Sequence, residues 1–283
     1  MNNGFKGMLL YGFILLVVVA VLVVVFVCTQ DAAAEEGVYL PVLMYHDVCD
    51  NPAFVDDYTV TLEQLAADID ALLARGFTPV TLTAVMQYAQ AQGKLPQNPV
   101  LIVFDDGYRS FYTRVFPLLQ AKDVPAVVSV IGRQAQAAQA YAEDTGEFMS
   151  WDMLREVAAS GLVELQSHSS GLHVYKCRPG VTRLSCESDA AYTQMLVEDV
   201  QHMHALAQTA QVTLLPAFAY PYGRLEPLAE QVLRAQGVQV TMTSEEHVNV
   251  ITRSPESLYL LGRLNRSGKM STEDVLLFME RAM

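Results

Sequence analysis

Val100-Leu101-Ile102-Val103-Phe104 runs without a break into Asp105-Asp106-Gly107-Tyr108. Five consecutive apolar residues read as a strand buried on both faces, as parallel strands covered by helices are. The polar residues begin where that strand ends, and Gly107 permits a tight turn away from it. Two adjacent carboxylates at a strand end point in different directions. One can hold a metal while the other faces a substrate. Taken alone, the stretch is equally an ordinary Asp-Gly turn.

Outward from this strand the same alternation repeats. Val38–Met44 reads as a buried strand. Thr61–Arg75 has helical periodicity, with Leu62, Leu65, Ile69, Leu72 and Leu73 on one face, Thr61 as N-cap and Gly76 as stop. Thr81–Gln92 and Ser110–Ala121 read as helices, Ala126–Ile131 as a strand, and the Ala/Gln-rich Ala135–Ala142 as a surface loop or short helix. Further on, helices are predicted over Trp151–Ser160, Asp189–Gln208, Pro227–Gln236 and Thr272–Arg281. Strands are predicted over Val163–Gln166, Ala217–Tyr220, Val238–Met242 and Leu258–Leu261. The class is α/β, and about seven strand–helix units favour a barrel of parallel strands over an open sheet. In such a barrel the chemistry sits on loops after the strands.

The chain has 283 residues, 52% of them hydrophobic, and a formal net charge of −13. From Met8 to Cys28 it is apolar and uncharged, long enough to cross a bilayer. Lys6 before the run and Asp31, Glu35 and Glu36 after it place the N-terminus inside and the rest outside. Residues 1–30 are therefore expected to form a transmembrane anchor, or a signal segment if cleaved near Ala32 and Ala34. Residues 31–37 are expected to form a linker, and 38–283 one folded domain that carries whatever chemistry the chain has. The domain would then be extracytoplasmic, or secreted after cleavage. Lys6 is the one charged residue of that segment, so the rest carries 17 basic and 31 acidic groups, a net of −14. Such a surface repels nucleic acid and anionic polymers. Cys177 and Cys186 bracket a turn-rich segment and either close a loop disulfide or remain free thiols in an insertion.

Three more groups follow strand ends. His168 and His173 lie in Ser167-His168-Ser169-Ser170-Gly171-Leu172-His173, a spacing that needs a loop turning back. Imidazole suits zinc and other late divalent metals. Two histidines with one aspartate would leave positions open for water and substrate, as in a catalytic site. Tyr220-Pro221-Tyr222-Gly223 is a turn able to present a backbone N–H to an oxyanion. Tyr45-His46-Asp47 puts a histidine where it can protonate a leaving group. A lone histidine there is otherwise structural. His202 and His204, two apart on a helix, read as surface or packing residues, and His247 receives no role.

Together these pieces resemble the polysaccharide deacetylase family, the fourth family of carbohydrate esterases, over about Val38–Glu280. The resemblance implies a distorted barrel and one divalent metal ion: zinc, with cobalt, nickel or iron as alternatives. It implies Asp106, His168 and His173 as ligands, Asp105 as general base, and the Tyr222 N–H as oxyanion donor. It makes Tyr108, Trp151, Tyr220, Pro221 and Gly223 supporting or substrate-facing residues. The late Leu-x-His motif of many members is absent, because no histidine follows His247 and Leu261-Gly262-Arg263-Leu264 stands there. Phe218, Ala219 and Tyr220 stand where many members have an arginine before the Pro-Tyr-Gly turn. With the early Tyr45-His46, these departures resemble the subgroup acting on poly-β-1,6-N-acetylglucosamine. They imply His46 as the acid and Arg263 as a replacement partner for Asp105. The expected reaction is N-deacetylation of an extracellular polysaccharide. The alternatives are peptidoglycan as substrate, or an inactive carbohydrate-binding protein.

Overall fold

Val38–Leu40 (β1) and Val42–Tyr45 (β2) divide the run expected as one strand. Pro41 lies between them and has no N–H to donate to a ladder. The computed structural model describes residues 37–140 and 146–280, and the expected membrane segment and nearly all of the linker lie outside these. Among the described residues no helix is long and apolar enough to cross a membrane.

Asp47–Cys49 (β3) pairs in parallel with Thr59–Thr61 (β4) beside the barrel mouth. Leu62–Ala74 (α1) begins in a capping box: the Thr61 side chain accepts from the Gln64 N–H, and Gln64 accepts from the Thr61 N–H. Thr78–Pro79 (β5) leads to Leu82–Ala89 (α2), capped by the Thr81 hydroxyl, and then to Pro99–Phe104 (β6), buried at every residue. The helix expected over Ser110–Ala121 opens as a π turn, Phe111–Val115, before Phe116–Lys122 (α3). Pro117 brings no N–H to the i→i−4 ladder, so the turn before it widens.

The chain continues through Ala126–Val130 (β7), Gly132–Ala140 (α4), Trp151–Ala159 (α5) and Val163–Ser167 (β8). It then forms Asp189–Thr209 (α6), Ala217–Ala219 (β9), Pro227–Ala235 (α7) and Val240–Met242 (β10). Asn249–Ile251 (β11), Leu264–Asn265 (β12) and Thr272–Glu280 (α8) complete it. The main sheet runs β10-β9-β8-β7-β6-β2-β12, with β5 also on β6, and its pairings are parallel. β1 turns aside to pair antiparallel with β11.

The strand expected over Leu258–Leu261 does not form. Pro255 starts a 3₁₀ turn reaching Leu258, and Leu260 takes a left-handed φ of 58°. Only Leu261 bridges to Met242, and three residues later Leu264 pairs with Leu43. The segment 261–265 thus touches both ends of the sheet and draws it into a distorted barrel.

Alternation along β6 divides the core. Ile102 and Phe104 join one apolar cluster with Leu65, Ile69 and Trp151, while Leu101 and Val103 join another with Leu82 and Val85. Both faces are dry, as the unbroken apolar run predicted. Across the closing seam Asp68 and Arg266 are both fully buried, with Arg266 Nε 2.6 Å from Asp68 Oδ2. The Tyr45 hydroxyl (3.0 Å) and the Thr272 hydroxyl (2.6 Å) also donate to Asp68. Arg266 N–H donates to the Met44 carbonyl. One carboxylate thereby ties α1, β2, α8 and the segment after β12.

Candidate active site

His46, Asp105 with Asp106, His168 and the Tyr220–Gly223 turn follow the C-terminal ends of β2, β6, β8 and β9, whereas Trp151 opens α5 and Arg263 precedes β12. After β6, Asp105 N–H donates to the Tyr45 carbonyl at 2.9 Å, and Gly107 N–H turns back to the Asp105 carbonyl at 2.9 Å. Asp106 carries this reversal at φ 70° and Gly107 at φ 76°. Ser169 (φ 72°) and Tyr222 (φ 57°) are also left-handed, so three strand-end loops of the site each hold a non-glycine residue there. Such conformations cost on the order of 1–3 kcal/mol and collect at functional sites.

Asp106, His168 and His173 converge. Asp106 Oδ1 lies 3.4 Å from His168 Nε2 and 3.2 Å from His173 Nε2. One ligand atom from each falls within 4.8 Å of the others. His168 Nδ1 contacts the Ala219 carbonyl at 2.8 Å, so that nitrogen carries the proton and Nε2 turns its lone pair inward. Asp106 Oδ1 is buried with no hydrogen-bond partner. An orphaned carboxylate oxygen between two imidazole nitrogens is a donor set that fits a divalent transition metal.

Asp105 stands beside this set with different partners. Its Oδ1 accepts from Arg263 Nη1 at 2.8 Å, and its Oδ2 lies 3.8 Å from His168 Nε2. Arg263 is 1% exposed and also donates from Nε to the Thr243 carbonyl at 2.7 Å. Burial opposes charge on Asp105, but Arg263, then His168 and His46, outweigh it and hold the carboxyl well below its usual range. The pairing read from the sequence joins residues 158 apart. Arg263→Ala should lower kcat about 10- to 100-fold, the usual effect of removing a group that orients a site residue. Unchanged activity would remove Arg263 from the site.

His46 follows β2. Burial pushes its imidazole below the ordinary range, against the pull of Asp105 and Asp106, and its buried Nδ1 lacks a hydrogen-bond partner. The next residue is anchored, since Ser110 Oγ donates to Asp47 Oδ1 at 2.5 Å and accepts from Val48 N–H at 3.2 Å. Tyr108 is half-buried and stacks on Phe148 at 5.1 Å, its phenol raised by burial and then by Asp106. A cleft of about 880 Å³ opens beside Tyr108, lined by Asp47, Ser110, Arg114 and Glu147, and does not include Asp106, His168 or His173. Trp151 lies in the core at the start of α5. The segment before it is stitched to the Asp106 turn, with Met149 N–H on the Gly107 carbonyl and Arg109 N–H on the Glu147 carbonyl.

In the Tyr220–Gly223 turn, Tyr220 is buried, and its hydroxyl donates to Glu230 at 2.8 Å rather than facing the site. Pro221 is buried, and Gly223 sits at φ 61°, where a Cβ would meet Ser244 Oγ at 1.8 Å. Tyr222 is the outward member: its ring lies 4.4 Å from that of His173. Cys177 and Cys186 are free, exposed thiols. Charge closes their loop instead, through Arg178 with Glu187 and Arg183 with Asp189.

Two site residues were not predicted. Asp199, on α6, accepts from Ser170 N–H at 2.8 Å and Gly171 N–H at 2.7 Å, clamping the loop between His168 and His173. His202, one turn on, is exposed on the helix, as a surface residue would be, and its Nδ1 also meets Ser170 Oγ at 2.6 Å. Asp199→Ala should weaken metal binding about 10- to 100-fold while the fold is kept, as read by competition with a chelator. Unaltered affinity would mean the loop holds its own shape.

Residues 92–241 match the polysaccharide deacetylase family. The chain belongs to that family. A poly-β-1,6-N-acetyl-D-glucosamine N-deacetylase of Escherichia coli (strain K12) is 30% identical in an alignment of 224 positions that covers 72% of this chain and 33% of that protein. The chain thus spans about a third of the length of the first curated relatives it matches. Among solved structures, IcaB from Ammonifex degensii superposes with a TM-score of 0.70 at 25% identity, over 87% of this chain and 98% of that one. The BpsB deacetylase domain from Bordetella bronchiseptica does so with 0.65 at 29%, over 81% and 96%. These two solved structures share the fold described above, so the loops carrying the site rest on a shared scaffold.

Proposed function

We propose that this chain is a metal-dependent N-deacetylase acting on an N-acetylglucosamine polysaccharide with β-1,6 linkages, outside the cytoplasm and tethered by its N-terminal segment. The observation that carries the proposal is the meeting of Asp106, His168 and His173 beside the buried Asp105–Arg263 pair at one end of the barrel. Asp106, His168 and His173 would hold the ion, zinc being the first choice for two imidazoles and a carboxylate. A bound divalent ion polarises an amide carbonyl and makes water more acidic.

The chain's own residues supply the rest. Asp105 stays ionised beside Arg263 and takes a proton from the attacking water as its oxygen bonds to the acetyl carbon. The Tyr222 N–H, at the head of a left-handed turn, donates to the carbonyl oxygen as it gains charge. His46 delivers a proton to the sugar nitrogen as the carbon–nitrogen bond breaks, leaving acetate and a free amine.

The β-1,6 preference is supported by the relatives' names and by the early His46 with Arg263 in place of the late histidine. It is tested by acetate release from β-1,6- and β-1,4-linked N-acetylglucosamine oligomers of equal length. Faster release from the β-1,6 series is expected. Faster release from the β-1,4 series would favour a peptidoglycan substrate.

A further inference from the structure

We propose that Tyr175, set against Tyr222, is a sugar-stacking platform that holds the glycan unit next to the one being deacetylated. The inference rests on the deacetylase reading and adds a subsite to it. Tyr175 is 67% exposed, and its ring meets that of Tyr222 edge-on at 5.7 Å. Tyr222 covers His173, so the two rings form a corner whose inner wall is a metal ligand. An exposed aromatic face beside a polar cluster is an apolar body with a wet rim, suited to the carbon–hydrogen face of a pyranose ring.

The corner is built rather than incidental. Gly180, at φ 60°, lets the loop press on the Tyr222 turn, where a Cβ would come within 2.6 Å of the Pro221 carbonyl oxygen. Gly180 N–H returns to the Val174 carbonyl at 3.2 Å, closing the bend that carries Tyr175. Behind it Val181 is fully buried, and its carbonyl accepts from the Tyr192 hydroxyl at 2.6 Å. Arg178 pairs with Glu187 across the base of the loop. An exposed tyrosine on a loop held this firmly loses little freedom when a ligand stacks on it.

A second exposed ring stands on the other flank. Tyr58 packs edge-on against His46 at 5.0 Å. His46 follows β2 and His173 follows β8, three strand spacings apart in the sheet order. Tyr58 and Tyr175 therefore stand on loops that flank the site from different strands.

The test reads binding apart from turnover. Zinc-loaded Asp105→Asn protein, with and without Tyr175→Ala or Tyr175→Phe, is titrated with a β-1,6-linked N-acetylglucosamine tetramer and with the monosaccharide. Tyr175→Ala should raise the Kd for the tetramer about 3- to 10-fold, and Tyr175→Phe should restore it. The monosaccharide Kd should not change. Gly180→Ala, which drives the loop off Pro221, should weaken the tetramer in the same direction. An unchanged tetramer Kd in Tyr175→Ala, or no tetramer binding to the Asp105→Asn protein, would overturn the platform. Failure of the deacetylase reading is a separate result, seen as no acetate release by the unsubstituted protein.

Discussion

Asp105→Asn should keep its metal and lose about 10²- to 10⁴-fold in kcat, the range expected when a positioned base is removed. Asp106→Ala should instead lose the metal. Adjacent residues are expected to separate because the turn after β6 aims them at different partners. Asp105 Oδ1 is committed to Arg263, whereas Asp106 Oδ1 has no hydrogen-bond partner and faces His168 and His173. Asn at position 105 still accepts from Arg263 but cannot take a proton at neutral pH. Ala at position 106 removes the only carboxylate of the ligand set and leaves two imidazoles, too few for a stable catalytic site. Metal content by elemental analysis, set beside acetate release, distinguishes the two. Equal metal loss in both variants would overturn this division of roles.

Asp68→Ala should destabilise the fold by about 3–5 kcal/mol, the usual effect of removing one partner from a buried ion pair. The carboxylate lies at the seam where the segment after β12 closes the barrel on β2. Without it Arg266 keeps a fully buried charge, and the Tyr45 and Thr272 hydroxyls lose their acceptor. Arg266 N–H is bonded to the Met44 carbonyl, two residues before His46, so the loss also loosens the strand leading to the proposed acid. Denaturant unfolding reads the effect. A loss below about 1 kcal/mol would place this network among interactions that merely compensate their own desolvation.

What the residues alone could tell depended on how far apart the interacting partners lie. The strand β6 was legible because both faces are dry, which leaves an unbroken apolar run, whereas β7 is interrupted by Ser129 and β8 alternates Val163 and Leu165 with Glu164 and Gln166. The seam was not legible. β12 has two residues, and the Leu258–Leu261 run carries the apolar pattern of a strand but is broken by Pro255 and by the left-handed Leu260. The meeting of Asp106, His168 and His173 was legible from residue type and strand-end position. Arg263 was legible only through the resemblance, as a charge standing where a histidine was missing. Asp199 went unread because polar residues on a long helix look solvated. A signal did exist: Asp199 falls between Leu196 and Met203 in the buried stripe of α6, where a charge needs a partner. Tyr175 carried no signal, since its role depends on a fold-back that places Gly180 on Pro221.

The central claim is that Asp106, His168 and His173 hold a metal needed for N-deacetylation. Its most direct test is acetate release from β-1,6-linked N-acetylglucosamine oligomers before chelation, after chelation and after zinc, cobalt or nickel is returned. Release should be abolished by the chelator and restored by added metal. Release that survives chelation, or no release with any of the three metals, would contradict the claim.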